Sequence, residues 1–147
     1  MAAKAYRGRK GWFARPFLTI EGNEAYEGEG GWLAEPVLTF EGNEIYRGRK
    51  GWLDAPIATV KGNEVYEGRG GWLAEPIATL KPTEEGWEVY EGRPGWFDEP
   101  IATVEGGGRI AAACATVYLL LMGKHADIQP TLRNGNVIKA KNTWRQE

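Results

Sequence analysis

Twenty residues separate one Gly-Trp pair from the next, at 11–12, 31–32, 51–52 and 71–72, and a fifth pair follows at 95–96. Around these pairs the chain repeats itself. AYRGRKGWFARPFLTIEGNE fills 5–24, AYEGEGGWLAEPVLTFEGNE fills 25–44, and IYRGRKGWLDAPIATVKGNE fills 45–64. A fourth copy is lengthened to span 65–88 and a fifth spans 89–108. So short a period makes each copy one supersecondary unit. Such a unit cannot bury its apolar face alone, so neighbouring copies must pack on one another.

Within a copy, a Pro precedes a run of strand character: Phe17–Ile20, Val37–Phe40, Ile57–Val60, Ile77–Leu80 and Ile101–Val104. β-branched and aromatic residues suit a half-buried pleated surface. Gly22-Asn23, Gly42-Asn43 and Gly62-Asn63 follow, a dipeptide that tolerates positive φ and closes a two-residue hairpin. The return strands begin at Ala25, Ile45, Val65 and Val89. With Gly22-Asn23 as the turn, Ile20 stands opposite Ala25 and Thr19 opposite Tyr26. Because strand side chains alternate, Leu18, Ile20 and Ala25 then share an apolar face, while Phe17, Thr19 and Tyr26 share the other. The fourth copy carries its insertion, 81–88, at this turn, where loop tips accept extra residues. Short turns alternating with longer Gly-Trp connections predict an antiparallel meander of about five to six hairpins, curled or closed so that edges are removed. A parallel solenoid is the rival architecture, but it would stack Glu24, Glu44 and Glu64 in a ladder.

The residue after each Tyr runs Arg7, Glu27, Arg47, Glu67, Glu91. Alternating sign would pair opposite charges across neighbouring units; inheritance from a duplicated two-copy block explains the same pattern. After Glu105-Gly106-Gly107-Gly108, the segment 109–123 is apolar and rich in Ala and Leu, with Gly123 as a C-cap candidate. It reads as one buried helix, able to plug the middle of the sheet or cover its open end. A strand remains open, because periodicity does not separate a buried strand from a buried helix. Residues 130–139 read as a degenerate sixth hairpin and a candidate partner for Tyr6-Arg7, and 140–147 as a polar tail. One domain, 1–147, contains all of this, with five tandem hairpins over 5–108.

Chemistry is sparse. The chain has no Ser, which removes serine nucleophiles; Cys114 lies in the apolar run and His125 is the one histidine. No zinc or calcium ligand spacing and no phosphate loop is present, so no cofactor or metal is expected. The net charge of −2 offers no basic face to nucleic acid. No apolar stretch reaches the roughly 20 residues of a spanning helix, so no membrane partner is expected. The N-terminus lacks the apolar run of a secretory signal, and a single cysteine suits a reducing compartment, so the expected location is cytoplasmic. Glu24, Glu44, Glu64 and Glu88 recur, and paired carboxylates of this kind hydrolyse glycosides, a remote alternative.

The candidate ligand-binding residues are therefore aromatic: Trp12, Trp32, Trp52, Trp72 and Trp96, with Tyr26, Tyr46, Tyr66 and Tyr90. Such rings stack on sugars or cage quaternary ammonium groups. The competing reading makes each Trp the cover of the seam between adjacent hairpins, since one indole hides roughly 150–250 Å². Over 5–108 the Gly-Trp spacing resembles choline-binding repeats, a tandem hairpin family; the Gly-Trp here lies in the long connection, and one Tyr follows it. The resemblance implies a hairpin-repeat fold and a small cationic ligand. The chain is thus expected to be a non-enzymatic binding or assembly module that self-associates, with a lectin-like binder of a carbohydrate or quaternary ammonium as the alternative. Its protein or small-molecule partner is not named by the sequence.

Overall fold

A computed structural model describes residues 2–11, 14–31, 33–49, 51, 54–95 and 98–123. Ten strands form one closed antiparallel barrel: β1 (Ala3–Arg7), β2 (Leu18–Glu21), β3 (Glu24–Glu27), β4 (Leu38–Glu41), β5 (Glu44–Arg47), β6 (Ala58–Lys61), β7 (Glu64–Glu67), β8 (Ala78–Pro82), β9 (Gly86–Glu91) and β10 (Ala102–Glu105). Each strand pairs with its sequence neighbours, and β1 closes the ring by pairing with β10. A solenoid is excluded. The hairpin register is the one the Gly-Asn turns predict: Thr19 opposes Tyr26 and Ile20 opposes Ala25, and β4–β5 and β6–β7 repeat it. Gly22, Gly42 and Gly62 have φ near +60°, which lets the chain reverse in two residues.

Closure differs from the expected pairing of Tyr6-Arg7 with 130–139. Tyr6 opposes Thr103 as Tyr26 opposes Thr19, so β10 and β1 form a fifth hairpin split between distant parts of the chain. Its side-chain lock is the common one. The Thr103 hydroxyl donates to the Gly8 carbonyl at 2.7 Å, as Thr19, Thr39, Thr59 and Thr79 donate to Gly28, Gly48, Gly68 and Gly92 at 2.6–2.8 Å. Segment 130–139 itself lies outside the described residues.

The expected face assignment holds for the strands and fails at Phe17. Leu18, Ile20, Ala25, Leu38, Ile45, Val60, Val65, Leu80, Val89 and Val104 point into the lumen and are buried. The Thr–Tyr pairs face outward. Phe17 precedes the first residue of β2, so the alternation does not govern it; it joins the core and stacks on Tyr118 with centroids 5.6 Å apart.

The lumen is filled by the apolar segment. Helix α1 (Arg109–Thr116) continues into one wider turn of π geometry, Val117–Leu121, in which the Met122 N–H donates to the Val117 carbonyl. Ala111 through Leu119 are buried on every side. An all-round apolar helix needs an all-round apolar wall, and here the inside of the closed sheet supplies it. Room for it comes from small inward residues: Ala5, Ala25, Ala58, Ala78 and Ala102 are all fully buried. The helix of 13 residues, counting the wide turn, runs about 20 Å. It enters at the hairpin-turn rim through Gly106 and Gly107, both at positive φ. A Cβ on Gly107 would come within 2.8 Å of the Ala3 Cβ and 2.9 Å of the Ala111 Cβ. At the far rim, Tyr118 stacks on Phe17 and its hydroxyl donates to the Glu27 carboxylate, anchoring the helix end.

Candidate functional site

The five long connections leave one rim and fold back along the outer wall like petals. The same backbone bonds root each of them. Phe17, Val37, Ile57, Ile77 and Ile101 donate N–H to Ala5, Ala25, Ile45, Val65 and Val89, at 2.7–2.8 Å. Gly8, Gly28, Gly48, Gly68 and Gly92 donate to Ile101, Phe17, Val37, Ile57 and Ile77, at 2.7–2.9 Å. Each petal ends in a four-residue turn closed from residue four to residue one: Ala14 to Gly11, Ala34 to Gly31, Asp54 to Gly51, Ala74 to Gly71 and Asp98 to Gly95. In two petals an Asp side chain adds a bond, from the Gly51 and Gly95 N–H groups at 2.6 Å. The central residues of a tight turn project away from its closing bond. In every copy the sequence puts a Trp and then Leu or Phe at those central positions.

Trp72 shows the consequence: it is 92% exposed, with Leu73 76% and Leu33 75% exposed. Trp72 is not the cover of a seam, contrary to that reading, because the turn geometry points it outward. Trp12, Trp32, Trp52 and Trp96 lie outside the described residues. Leu33 and Leu73 were not among the sequence candidates; their signal was the Gly-Trp-Leu-Ala run, a turn with two large apolar corners.

The tyrosines sit differently. Tyr46 and Tyr90 are buried and Tyr26 and Tyr66 half-buried, beneath the petals. The hydroxyls of Tyr26, Tyr46, Tyr66 and Tyr90 donate to Glu24, Glu44, Glu64 and Glu88, two residues back on the same face. Donation to the neighbouring carboxylate, and after it burial, pushes the pKa of Tyr26, Tyr46 and Tyr66 upward; for Tyr90 burial is the larger cause. Glu64 is held below the usual carboxylate range, chiefly by the Tyr66 hydroxyl and also by Arg93. A general acid needs the opposite shift.

A raised folded-state value for a phenol gives stability that is complete below the unfolded value of about 10 and is lost as pH rises through the folded values. Phenolate absorbance in alkali is therefore expected to rise late and together with loss of the barrel's circular dichroism. Tyr66→Phe should remove part of that pH dependence. Ordinary phenol midpoints with an intact fold would defeat this expectation.

Charged seams link the petals. The cross-unit pairs stand two residues beyond the alternating positions that the sequence suggested. Arg49 reaches Glu24 at 3.2 Å and Glu35 at 2.9 Å. Arg93 reaches Glu64 at 3.3 Å and Glu75 at 2.8 Å, and Arg9 reaches Glu88 at 3.1 Å and Glu99 at 3.0 Å. Arg69 meets Glu44 at 3.1 Å. The hydroxyl and guanidinium partners leave the recurring glutamates engaged, and shallow hollows between petals are lined by these same groups. Among the described residues no three His, Cys, Asp or Glu side chains gather in a metal-binding cluster. Cys114 is fully enclosed by the lumen, and burial pushes its thiol far up, so it stays protonated. No helix among the described residues is long and apolar enough to cross a membrane.

Comparison with family models matches residues 5–84, more than half of the chain, to the family described as "6-fold beta flower protein". The match agrees with the tandem-hairpin part of the resemblance drawn from the Gly-Trp spacing. No curated protein and no solved structure matches.

Proposed function

We propose, from the premise that the chain belongs to the 6-fold beta flower proteins, that it is a non-enzymatic binding or assembly module whose contact surface is its set of Gly-Trp turns. The observation that carries this reading is the exposure of Trp72 and Leu73 at the corners of a turn that every petal repeats. The barrel completes its own core with its own helix, so the apolar turn tips contribute nothing to folding that solvent exposure would not cost. Large exposed aromatics set on a rigid frame are typical contact anchors, because little side-chain freedom is lost when they are covered. The tyrosines belong to the frame: their hydroxyls are already engaged.

Self-association through these tips is the first form of the proposal. Sedimentation velocity at rising concentration is expected to show reversible association, and the pair Trp72→Ala with Leu73→Ser is expected to weaken it about tenfold, the size of a modest contact anchor. A chain that stays monomeric at every concentration removes this form.

The open indole face of Trp72 also favours a small-ligand form, in which choline or a neutral oligosaccharide stacks on it. Titration with choline chloride and with a panel of neutral oligosaccharides, followed by indole fluorescence, tests it. No spectral change with any probe removes it.

A further inference from the structure

One of the five petal seams has its charges reversed. In four seams an Arg from one petal enters an acidic socket on the preceding unit, built from the residue two before the return-strand Tyr and the residue before the petal's Pro. Arg49 enters Glu24 and Glu35, Arg93 enters Glu64 and Glu75, and Arg9 enters Glu88 and Glu99. Arg69 enters Glu44, with Ala55 at the second position. In the remaining seam the entering residue is Glu29, and the socket positions are Lys4 and Arg15. Arg15 meets Glu29 at 3.4 Å. Socket and insert have changed sign together, so the seam stays complementary to itself and to none of the other four.

The reversed socket belongs to the segment that closes the ring. β1 and its petal contribute Lys4 and Arg15 as socket and Arg9 as insert. The segment therefore fits only where an acidic socket precedes it and an acidic insert follows it. Glu88 and Glu99 with Glu29 meet that condition, and they flank its own slot.

The discrimination is needed because the sequences barely provide another. Tyr6 to Trp12 and Tyr46 to Trp52 are the same seven residues, YRGRKGW. β1 with its petal would otherwise suit the slot of β5, in its own chain or in a second copy. There the following insert is Arg69, which would face Lys4 and Arg15.

We propose that the reversed seam is a positional key, which admits the N-terminal strand and petal to one slot of the five and holds the protein to a ring closed within one chain. The key is read during closure, when β1 must find β10 across the whole repeat array. Exposed ion pairs stabilise a finished fold little, but like charges placed together disfavour a wrong pairing by a similar amount at each contact.

Refolding tests the key. K4E with R15E sets two new carboxylates against Glu29. Adding E29R gives all five seams the same polarity, an Arg entering an acidic socket, and abolishes the charge distinction that marks one slot. Each full-length chain is unfolded, refolded at low and high protein concentration, and resolved by size under conditions where the folded wild type does not associate.

The triple variant is expected to match the wild type in melting temperature and to yield about threefold to tenfold more strand-exchanged oligomer, the ratio that two mismatched pairs set. The double variant is expected to melt lower than both. In about 1 M salt, where the Debye length is near 3 Å, the wild type is expected to approach the triple variant. Equal oligomer yields for the wild type and triple variant at low salt would overturn the proposal. So would a triple variant that melts as low as the double, since its seams would then not be interchangeable.

Discussion

A chain lacking residues 1–8 is expected to lose the monomeric barrel. β1 is bonded on both sides, to β10 over Lys4–Arg7 and to β2 over Ala3–Ala5. Its removal frees two strand edges and uncovers the lumen beside Ala3 and Ala5, both buried. It also takes away the Gly8 carbonyl that Thr103 needs. A curled sheet with open edges presents unpaired backbone to other chains. The loss should exceed about 4 kcal/mol, the size reserved for broken cores and networks, and is expected as aggregation or strand exchange on gel filtration.

A synthetic peptide of residues 2–11 is expected to restore the helical and strand circular dichroism and the monomeric size. The same peptide with Ala5→Asp is expected to fail, because Ala5 faces the lumen with no exposed surface. A truncated chain that stays monomeric with an unchanged melting temperature would show that closure contributes little.

This experiment addresses the part of the fold that was least legible in the residues. The hairpin register was readable because its causes are local. Gly22-Asn23 closes in two residues, and a one-residue slip would turn Leu18 and Ile20 out to solvent. Closure has no local cause. β1 carries the same apolar-Tyr-charged-Gly pattern as the other return strands, so nothing within it names β10 as partner rather than a hairpin at 130–139.

The place of the helix left a trace: four of the five hairpins carry an inward Ala, at 25, 58 and 78 and, in the β10–β1 hairpin, at both 5 and 102, which leaves lumen volume for another element to fill. That trace becomes readable once the inward face is known. At the Trp positions the large indole area favours burial. The local turn decided otherwise, since Gly71 to Ala74 closes tightly and leaves Trp72 at its corner. The petal seams were missed because Arg49 and Glu24 lie 25 residues apart and meet only when a petal folds back.

A charge placed in the lumen is expected to have the other large effect. Ala113 sits mid-helix, fully buried, among Ala, Val and Leu side chains of helix and wall. Ala113→Glu asks the lumen to accept added volume and a carboxyl group together. Overpacking alone costs about 1–3 kcal/mol. A carboxylate without a partner in apolar surroundings adds several more, or shifts its pKa upward and remains neutral, which still leaves an unsatisfied polar group. The sum is comparable to the whole stability of a domain, about 5–15 kcal/mol, so the variant is expected to be unfolded at neutral pH. Any residual folded population should increase as pH falls through the raised carboxyl value, because the neutral acid is the form the lumen tolerates.

Thr116 provides the contrast on the same helix. It is equally buried, but its hydroxyl donates to the Ala112 carbonyl at 3.0 Å, within its own helix. Thr116→Val removes that bond without leaving an unsatisfied hydroxyl and preserves the shape, so its effect should stay within about 1 kcal/mol. If Ala113→Glu folds with near-normal stability while its carboxyl titrates in the ordinary range, water reaches the helix, and the lumen is not the closed apolar core described above. If Thr116→Val is the more damaging of the two, polar bonding within the lumen, rather than the exclusion of charge from it, sets the helix in place.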